Sequence, residues 1–323
     1  MYDPRGIRVT ADVLPALTAK VRAAVHPGAS VCACGTDTSV LADRPDGTVV
    51  RHADTVAKAH APGTDTGELA ARLAVAAHPA LDGVLLAPLA ASAAELHGRL
   101  VTFWPYGTPV DPETPEAAPW EDAATLLARL HRTSRAALAS GLPPMRGPAK
   151  AARAVERLRA AGPHPAAEPV LRAWSVLPAW AKNEAPMVNA HTLCHGDLHL
   201  GQLVRDPGGA WLLIDIDDLG LGEPAWDLAR PAAWFACGLL PPDEWTRFLT
   251  AYQKAEGPAL SADTDPWPAL DVPARALTVQ TGALAIVKAM AAGRALDEVE
   301  VAVIDACDRM AAHPPELAPG FPT

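Results

Sequence analysis

A chain of 323 residues, half of them apolar, can bury a sizeable core and is long for one domain, which excludes a disordered protein and points to two lobes. The formal net charge of −10 excludes nucleic acid as the expected partner, because phosphate backbones need basic surfaces. Residues 1–196 carry 19 Lys/Arg against 18 Asp/Glu, while residues 197–323 carry 8 against 19, so the negative balance lies in the second part. An acidic half of this kind suits a cationic small-molecule acceptor or, equally, a solvated surface that keeps the protein soluble. The five cysteines are odd in number and sit mostly in apolar surroundings, which predicts reduced thiols in a cytoplasmic protein. Cys32-x-Cys34 falls in a strand-like segment with no second pair to complete a metal loop. The N-terminus lacks a signal-peptide core, and no stretch has the length of a transmembrane helix, so no membrane partner is expected.

Residues 10–26 read as an amphipathic helix with Val13, Leu14, Leu17 and Val21 on one face, stopped by Pro27-Gly28. Strand-like segments follow at Ser30–Cys34, Thr38–Ala42 and Thr48–Ala59, the last broken at His52-Ala53. Gly35-Thr36-Asp37-Thr38 and Arg44-Pro45-Asp46-Gly47 are the turns between them. A helix begins near Asp65-Thr66 and carries Glu68 and Arg72. Val84–Leu89 and Arg99–Trp104 complete an expected five-stranded sheet, and Pro105-Tyr106-Gly107 reads as a hinge. Residues 120–132 form a helix with Leu126, Leu127 and Leu130 on one face. Residues 134–190, rich in Ala, Arg and Pro, read as two loosely connected helices without evident chemistry.

The stretch that carries chemistry begins at Thr192. Thr192-Leu193-Cys194 leads into His195-Gly196-Asp197-Leu198-His199-Leu200-Gly201-Gln202. Leu203-Val204, the turn Asp206-Pro207-Gly208-Gly209 and Ala210–Ile214 then read as a small hairpin ending on Asp215. Such a hairpin is expected to bring Asp197 and Asp215 near each other. Two carboxylates and a side-chain amide suit Mg²⁺-assisted phosphoryl transfer: one acid orients and deprotonates an attacking hydroxyl, and the other, with the amide oxygen of Gln202, holds the cation. Further on, Ala229–Leu240 and Asp243–Lys254 read as helices, and residues 271–292 and 295–312 as a closing antiparallel pair.

Three motifs in order carry a resemblance: His195 to Gln202, then Ile214-Asp215-Ile216-Asp217, then Gly222-Glu223-Pro224-Ala225-Trp226-Asp227-Leu228-Ala229. Together they are similar to the aminoglycoside phosphotransferase and choline kinase-like superfamily. Most members carry Asn where this chain has Gln202, and the His-Leu-Gly-Gln variant resembles the maltokinase and glucosamine kinase branch. The resemblance implies an α+β, protein-kinase-like fold with a small β-rich nucleotide-binding lobe at residues 1–103 and a mostly helical catalytic and acceptor-binding lobe at 104–323. It implies ATP and Mg²⁺ as cofactors, Asp197 as the catalytic base, and Gln202 with Asp215 as the metal ligands. His195 and Asp227 shape the loop.

Val56-Ala57-Lys58 resembles the Val-Ala-x-Lys element of kinases, which assigns Lys58 to the α/β-phosphates and Glu68 as its partner. A solvated Glu in a first helical turn is the competing reading of Glu68. Thr36, Thr38 and Ser39 are the expected cover of the phosphates, although the segment reads as readily as an ordinary hairpin. Backbone groups around Phe103 and Trp104 are expected at the adenine, with plain core packing as the alternative for Trp104. The expected reaction is transfer of the ATP γ-phosphoryl group to a hydroxyl of a small acceptor. The acidic half favours an aminoglycoside-like or other cationic antibiotic, Gln202 favours a sugar or amino sugar, and a non-catalytic nucleotide-binding relative is the third reading.

Overall fold

The computed structural model describes residues 6–28, 32, 38–138, 141–262 and 264–313, and the side chains of 13 onward within the first helix. The chain divides into two compact units, one of residues 1–110, 136–142 and 203–217, the other of residues 111–135, 143–202 and 218–323.

The first unit is built on an antiparallel sheet. Its strands are β1 (Ser39–Arg44), β2 (Gly47–His52), β3 (Thr55–His60), β4 (Ala94–Leu96) and β5 (Arg99–Pro105), in the order β1-β2-β3-β5-β4. Helix α1 (Gly6–Val25) buries Val13, Leu17 and Val21 against Val50, Ala57, Ala59 and Val101. The three α1 positions recur at helical spacing and the sheet positions alternate, so one face of each element meets the other. Ala53, with φ of +51°, makes the expected break between β2 and β3.

That alternation sorts the site residues. Ala57 and Ala59 face the α1 core, which leaves Lys58 on the opposite face of β3. Helix α2 (Thr66–Ala76) starts at Asp65, whose carboxylate caps the Glu68 N–H at 2.8 Å. A second, smaller sheet joins β6 (Thr108–Pro109), β8 (Leu203–Arg205) and β9 (Trp211–Leu213) in the order β6-β8-β9. The predicted hairpin is present in full, with the Asp206 carboxylate accepting from the Ala210 N–H at 2.8 Å across its turn.

One strand expectation is corrected. Val84–Leu89 is not a strand of the large sheet. Its backbone lies along β9, where Leu86 N–H donates to the Leu213 carbonyl and Leu213 N–H to that of Val84, both at 2.9 Å. The fifth strand is the three-residue β4. The expected strand at Ser30–Cys34 falls almost wholly outside the described residues.

The second unit is helical: α3 (Trp120–His131), α4 (Gly147–Ala161), α5 (Ala167–Ser175), α6 (Ala225–Ala236), α7 (Pro242–Lys254), α8 (Trp267–Ala292) and α9 (Glu298–Ala312). Buried along much of its length, α8 packs against α4, α5, α6 and α9. A short antiparallel ribbon of β7 (Thr192–Cys194) and β10 (Gly220–Gly222) pairs Leu193 with Leu221. No helix among the described residues is long and apolar enough to cross a membrane.

Candidate active site

The loop from His195 to Gln202 leaves β7 and is anchored by a residue some thirty positions later. Asp227, in the first turn of α6, is buried and accepts the His195 N–H at 2.6 Å on one oxygen and the Gly196 N–H at 2.7 Å on the other. His131 Nε2 lies 3.0 Å from Asp227, and His131 Nδ1 lies 2.8 Å from the Tyr252 hydroxyl. Helices α3, α6 and α7 thus contribute one side chain each to a buried relay that fixes the loop backbone. Gly196 has φ of +85°, and a Cβ there would collide with the Asp218 carbonyl oxygen. Both its conformation and the close backbone approach therefore require glycine.

This geometry presents Asp197 between two cations. Arg230 Nη2 donates to Oδ1 at 2.7 Å and Lys150 Nζ to Oδ2 at 2.7 Å. Lys150 also reaches Asp218 Oδ2 at 2.7 Å, and Arg230 Nε donates to the Leu198 carbonyl at 3.1 Å. Burial opposes ionisation of Asp197, but Lys150 and then Arg230 outweigh it and hold the carboxyl below its ordinary range. Burial likewise disfavours the Lys150 ammonium, and Asp218 and Asp197 reverse that and raise its pKa. At His199 burial prevails over the pull of Asp197 and pushes the imidazole down to about 4, so it is neutral at neutral pH. Its Nδ1 accepts the Gly201 N–H at 3.1 Å. Gln202 closes a single 3₁₀ turn, its N–H donating to the His199 carbonyl at 2.8 Å, and its side chain is buried.

Lys150 and Arg230 are the residues that sequence reasoning missed. Lys150 lies in the Ala/Arg-rich stretch read above as free of chemistry, and 47 positions separate it from Asp197. Arg230 directly follows the Asp-Leu-Ala motif, and that adjacency was the available signal.

In the first unit Lys58 is held by two carboxylates, Asp215 Oδ1 at 2.7 Å and Asp217 Oδ2 at 2.9 Å. His60 Nδ1 lies 3.0 Å from the other oxygen of Asp217. Burial opposes the Lys58 charge, yet Asp215 and then Asp217 raise its pKa. For Asp217 the balance falls the same way: burial is outweighed by Lys58 and His60, and the carboxyl stays well below its usual range. Asp215 has φ of +64°, an uncommon conformation for a non-glycine residue and one that clusters at functional sites.

Glu68, expected beside Lys58, instead pairs with Arg72 one helical turn on, at 3.1 Å. The physical reason is proximity along α2: a Glu four residues before an Arg meets it on the same helix face. Phe103 turns its side chain into the α1 core, and its carbonyl accepts the Leu89 N–H at 2.8 Å. Strand alternation places Thr102 and Trp104 on the other face, where Trp104 Nε1 donates to Thr102 Oγ1 at 2.9 Å. The Thr38 hydroxyl accepts from Arg22 Nε at 2.9 Å, Ser39 opens β1 as an exposed residue, and Thr36 lies outside the described residues.

The residues of each unit suit the cofactors implied by the motifs. In the first unit Asp215 and Asp217 offer carboxylate oxygens, hard ligands of the kind Mg²⁺ prefers, and Lys58 offers an ammonium for phosphate; in the second, Gln202 offers an amide oxygen. Comparison with known proteins bears on the family and the fold. The profile of the phosphotransferase enzyme family matches residues 39–270. No curated sequence is a significant match to this chain. Among solved structures, a choline/ethanolamine kinase family protein from Mesorhizobium loti is similar at 17% identity, with 94% of each chain covered and a TM-score of 0.55. A macrolide 2'-phosphotransferase from Brachybacterium faecium is similar at 20% identity, covering 94% of this chain and 100% of its own, with a TM-score of 0.52. A spectinomycin phosphotransferase solved with ADP and spectinomycin is similar at 14% identity, covering 84% and 88%, with a TM-score of 0.54. These likenesses establish the protein-kinase-like α+β fold. The family profile spans most of the chain and takes in the anchored loop with Asp197 as well as the clasped Lys58, and on that ground the chain belongs to the phosphotransferase enzyme family.

Proposed function

We propose that this phosphotransferase moves the γ-phosphoryl group of ATP onto a hydroxyl of a small cationic natural product, such as an aminoglycoside-like antibiotic. The observation that supports the reading best is Asp197, an ionised carboxylate on a loop whose backbone is locked by Asp227. An ionised carboxylate at that place orients the acceptor hydroxyl and takes its proton, while Lys150 and Arg230 keep it ionised. One of its two cation contacts must loosen to admit the hydroxyl. Lys58 serves the α/β-phosphates, Trp104 lines the adenine site, and the segment containing Thr36, Thr38 and Ser39 covers the phosphates. Asp215 and Gln202 would hold Mg²⁺, which when bound neutralises phosphate charge. Glu68 has no part in this reading, because Asp215 and Asp217 take its place at Lys58.

A second acceptor class has its own support. Lys150 and Arg230 place positive charge at the base itself, which disfavours a cationic group close to the reacting hydroxyl, and Gln202 points the same way. A sugar, or an amino sugar whose amine lies away from the hydroxyl, satisfies both. The experiment is phosphoryl transfer from ATP with Mg²⁺ across a panel of aminoglycosides, other amine-bearing natural products, neutral sugars and amino sugars. Transfer to the cationic antibiotics is expected. Transfer confined to neutral sugars would reverse the order of the two readings, and no transfer to any hydroxyl would sink both. Asp197→Asn should lower kcat by roughly 100-fold or more while leaving nucleotide affinity near the wild-type value.

A further inference from the structure

The first unit also gathers three soft and borderline ligands at one point, none of them assigned a role above. His26 follows the last turn of α1, His52 closes β2, and Cys32 lies between them in sequence. The Cys32 Sγ is 3.1 Å from His26 Nε2 and 3.2 Å from His52 Nε2. All three candidate ligand atoms lie within 4.8 Å of one another. His52 is fully buried, while His26 and Cys32 are half-buried, so an ion could enter from one side.

We propose that Cys32, His26 and His52 form a binding site for a divalent zinc-class ion that ties the end of α1 to the end of β2. Zinc takes Cys sulfur at about 2.3 Å and His nitrogen at about 2.0–2.1 Å, which sets tetrahedral S···N separations of about 3.5 Å. The observed separations need to widen by only a few tenths of an ångström. The mixed thiolate and imidazole set is wrong for Mg²⁺ or Ca²⁺, which take oxygen ligands. Among the described residues these three supply the ligands.

The surroundings supply the outer support that metal-bound imidazoles need. His52 Nδ1 is 3.2 Å from Thr38 Oγ1, which also accepts from Arg22 Nε at 2.9 Å. When the threonine oxygen accepts from both, the His52 proton sits on Nδ1 and the Nε2 lone pair faces Cys32. His26 hangs on the last turn of α1, its N–H donating to the Arg22 carbonyl at 2.9 Å, where the helix dipole favours a cation. Arg22 brings its own positive charge, and the Cys32 thiolate offsets it.

The full chain, stripped with chelator, is titrated with Zn²⁺ by calorimetry and with Co²⁺ by absorption. One Zn²⁺ per chain is expected, with a Co²⁺ spectrum that includes a thiolate charge-transfer band. Cys32→Ser should abolish the band and weaken Zn²⁺ by at least ~100-fold. Thr38→Val, which leaves all three ligands in place and removes the oxygen beside His52 Nδ1, should weaken it by roughly 10–100-fold. The melting temperature of the wild type should rise with Zn²⁺, and that of His26→Ala, altered at a half-buried position, should not. Absence of Zn²⁺ binding by the wild type at micromolar ion, or a thiolate band that survives Cys32→Ser, would overturn the site.

Discussion

Asp197 shows how a single carboxylate is prepared and restrained by the same neighbours. Lys150 and Arg230 lower its pKa, which keeps it ionised, but they occupy both of its oxygens. Removing one cation should therefore show itself in the pH dependence of turnover. The folded carboxyl is depressed, so activity that needs the ionised form is present above that pKa and lost as pH falls through it. Lys150→Met removes the leading cause of the depression, so the acidic limb of the kcat profile should move to higher pH, with kcat at neutral pH lowered by ~10-fold. An acidic limb that stays where it was would separate Lys150 from Asp197 in function.

Gln202 poses a second question at this scale. A metal site requires its ligand oxygen about 2.0–2.1 Å from Mg²⁺, and Gln reaches one carbon further than Asn. If the loop is built for Gln, Gln202→Asn should lose about 10-fold in kcat, or roughly 1.4 kcal/mol of transition-state stabilisation. Steady-state rates across a Mg²⁺ titration decide it, and a gain at saturating Mg²⁺ would mean that the loop is built for Asn. Lys150 was not legible in the sequence for a plain reason. On an Ala/Arg-rich helix a lysine looks like one more solvated charge, and only tertiary packing brings it to Asp197.

Among the elements, the turn at Gly196 is constrained twice over. Gly196→Ala imposes both a left-handed conformation on a residue with a Cβ and a collision with the Asp218 carbonyl. Together these should cost roughly 2–4 kcal/mol, seen as a lowered melting temperature and a loss of activity. A variant that melts with the wild type would show that the loop rearranges freely. Elements with strong periodicity were readable in advance: the α1 face of Val13, Leu17 and Val21, the β8–β9 hairpin with its Asp-Pro-Gly-Gly turn, and the long helices of the second unit. Val84–Leu89 misled because a short apolar run looks the same whether it enters a sheet or lies alongside a hairpin. The three residues of β4 are too few to show any alternation. Glu68 was assigned to Lys58 by resemblance, whereas Asp215 and Asp217, about 157 positions along the chain, reach it through long-range packing.

For the molecule as a whole, the uneven charge gives a test of the acceptor class. If the acidic excess of residues 197–323 recruits a cationic acceptor, kcat/KM should fall clearly as salt rises from low to physiological, because screening shortens the reach of the field. A preferred acceptor with salt-independent kinetics would assign those acids to solubility alone. The buried relay of His131, Asp227 and Tyr252 also bears on the order in which the chain becomes competent. The two loop N–H groups await a carboxylate 31 and 32 positions downstream. At translation rates of 5–20 residues per second, that gap lasts roughly two to six seconds, and Tyr252 emerges later still. Through that interval the nascent chain already carries His195 to Gln202 but lacks the acid that shapes their backbone. The ribosome therefore releases the loop that carries Asp197 before its clamp, and the backbone geometry of that loop dates from the docking of α6, not from the synthesis of the motif itself.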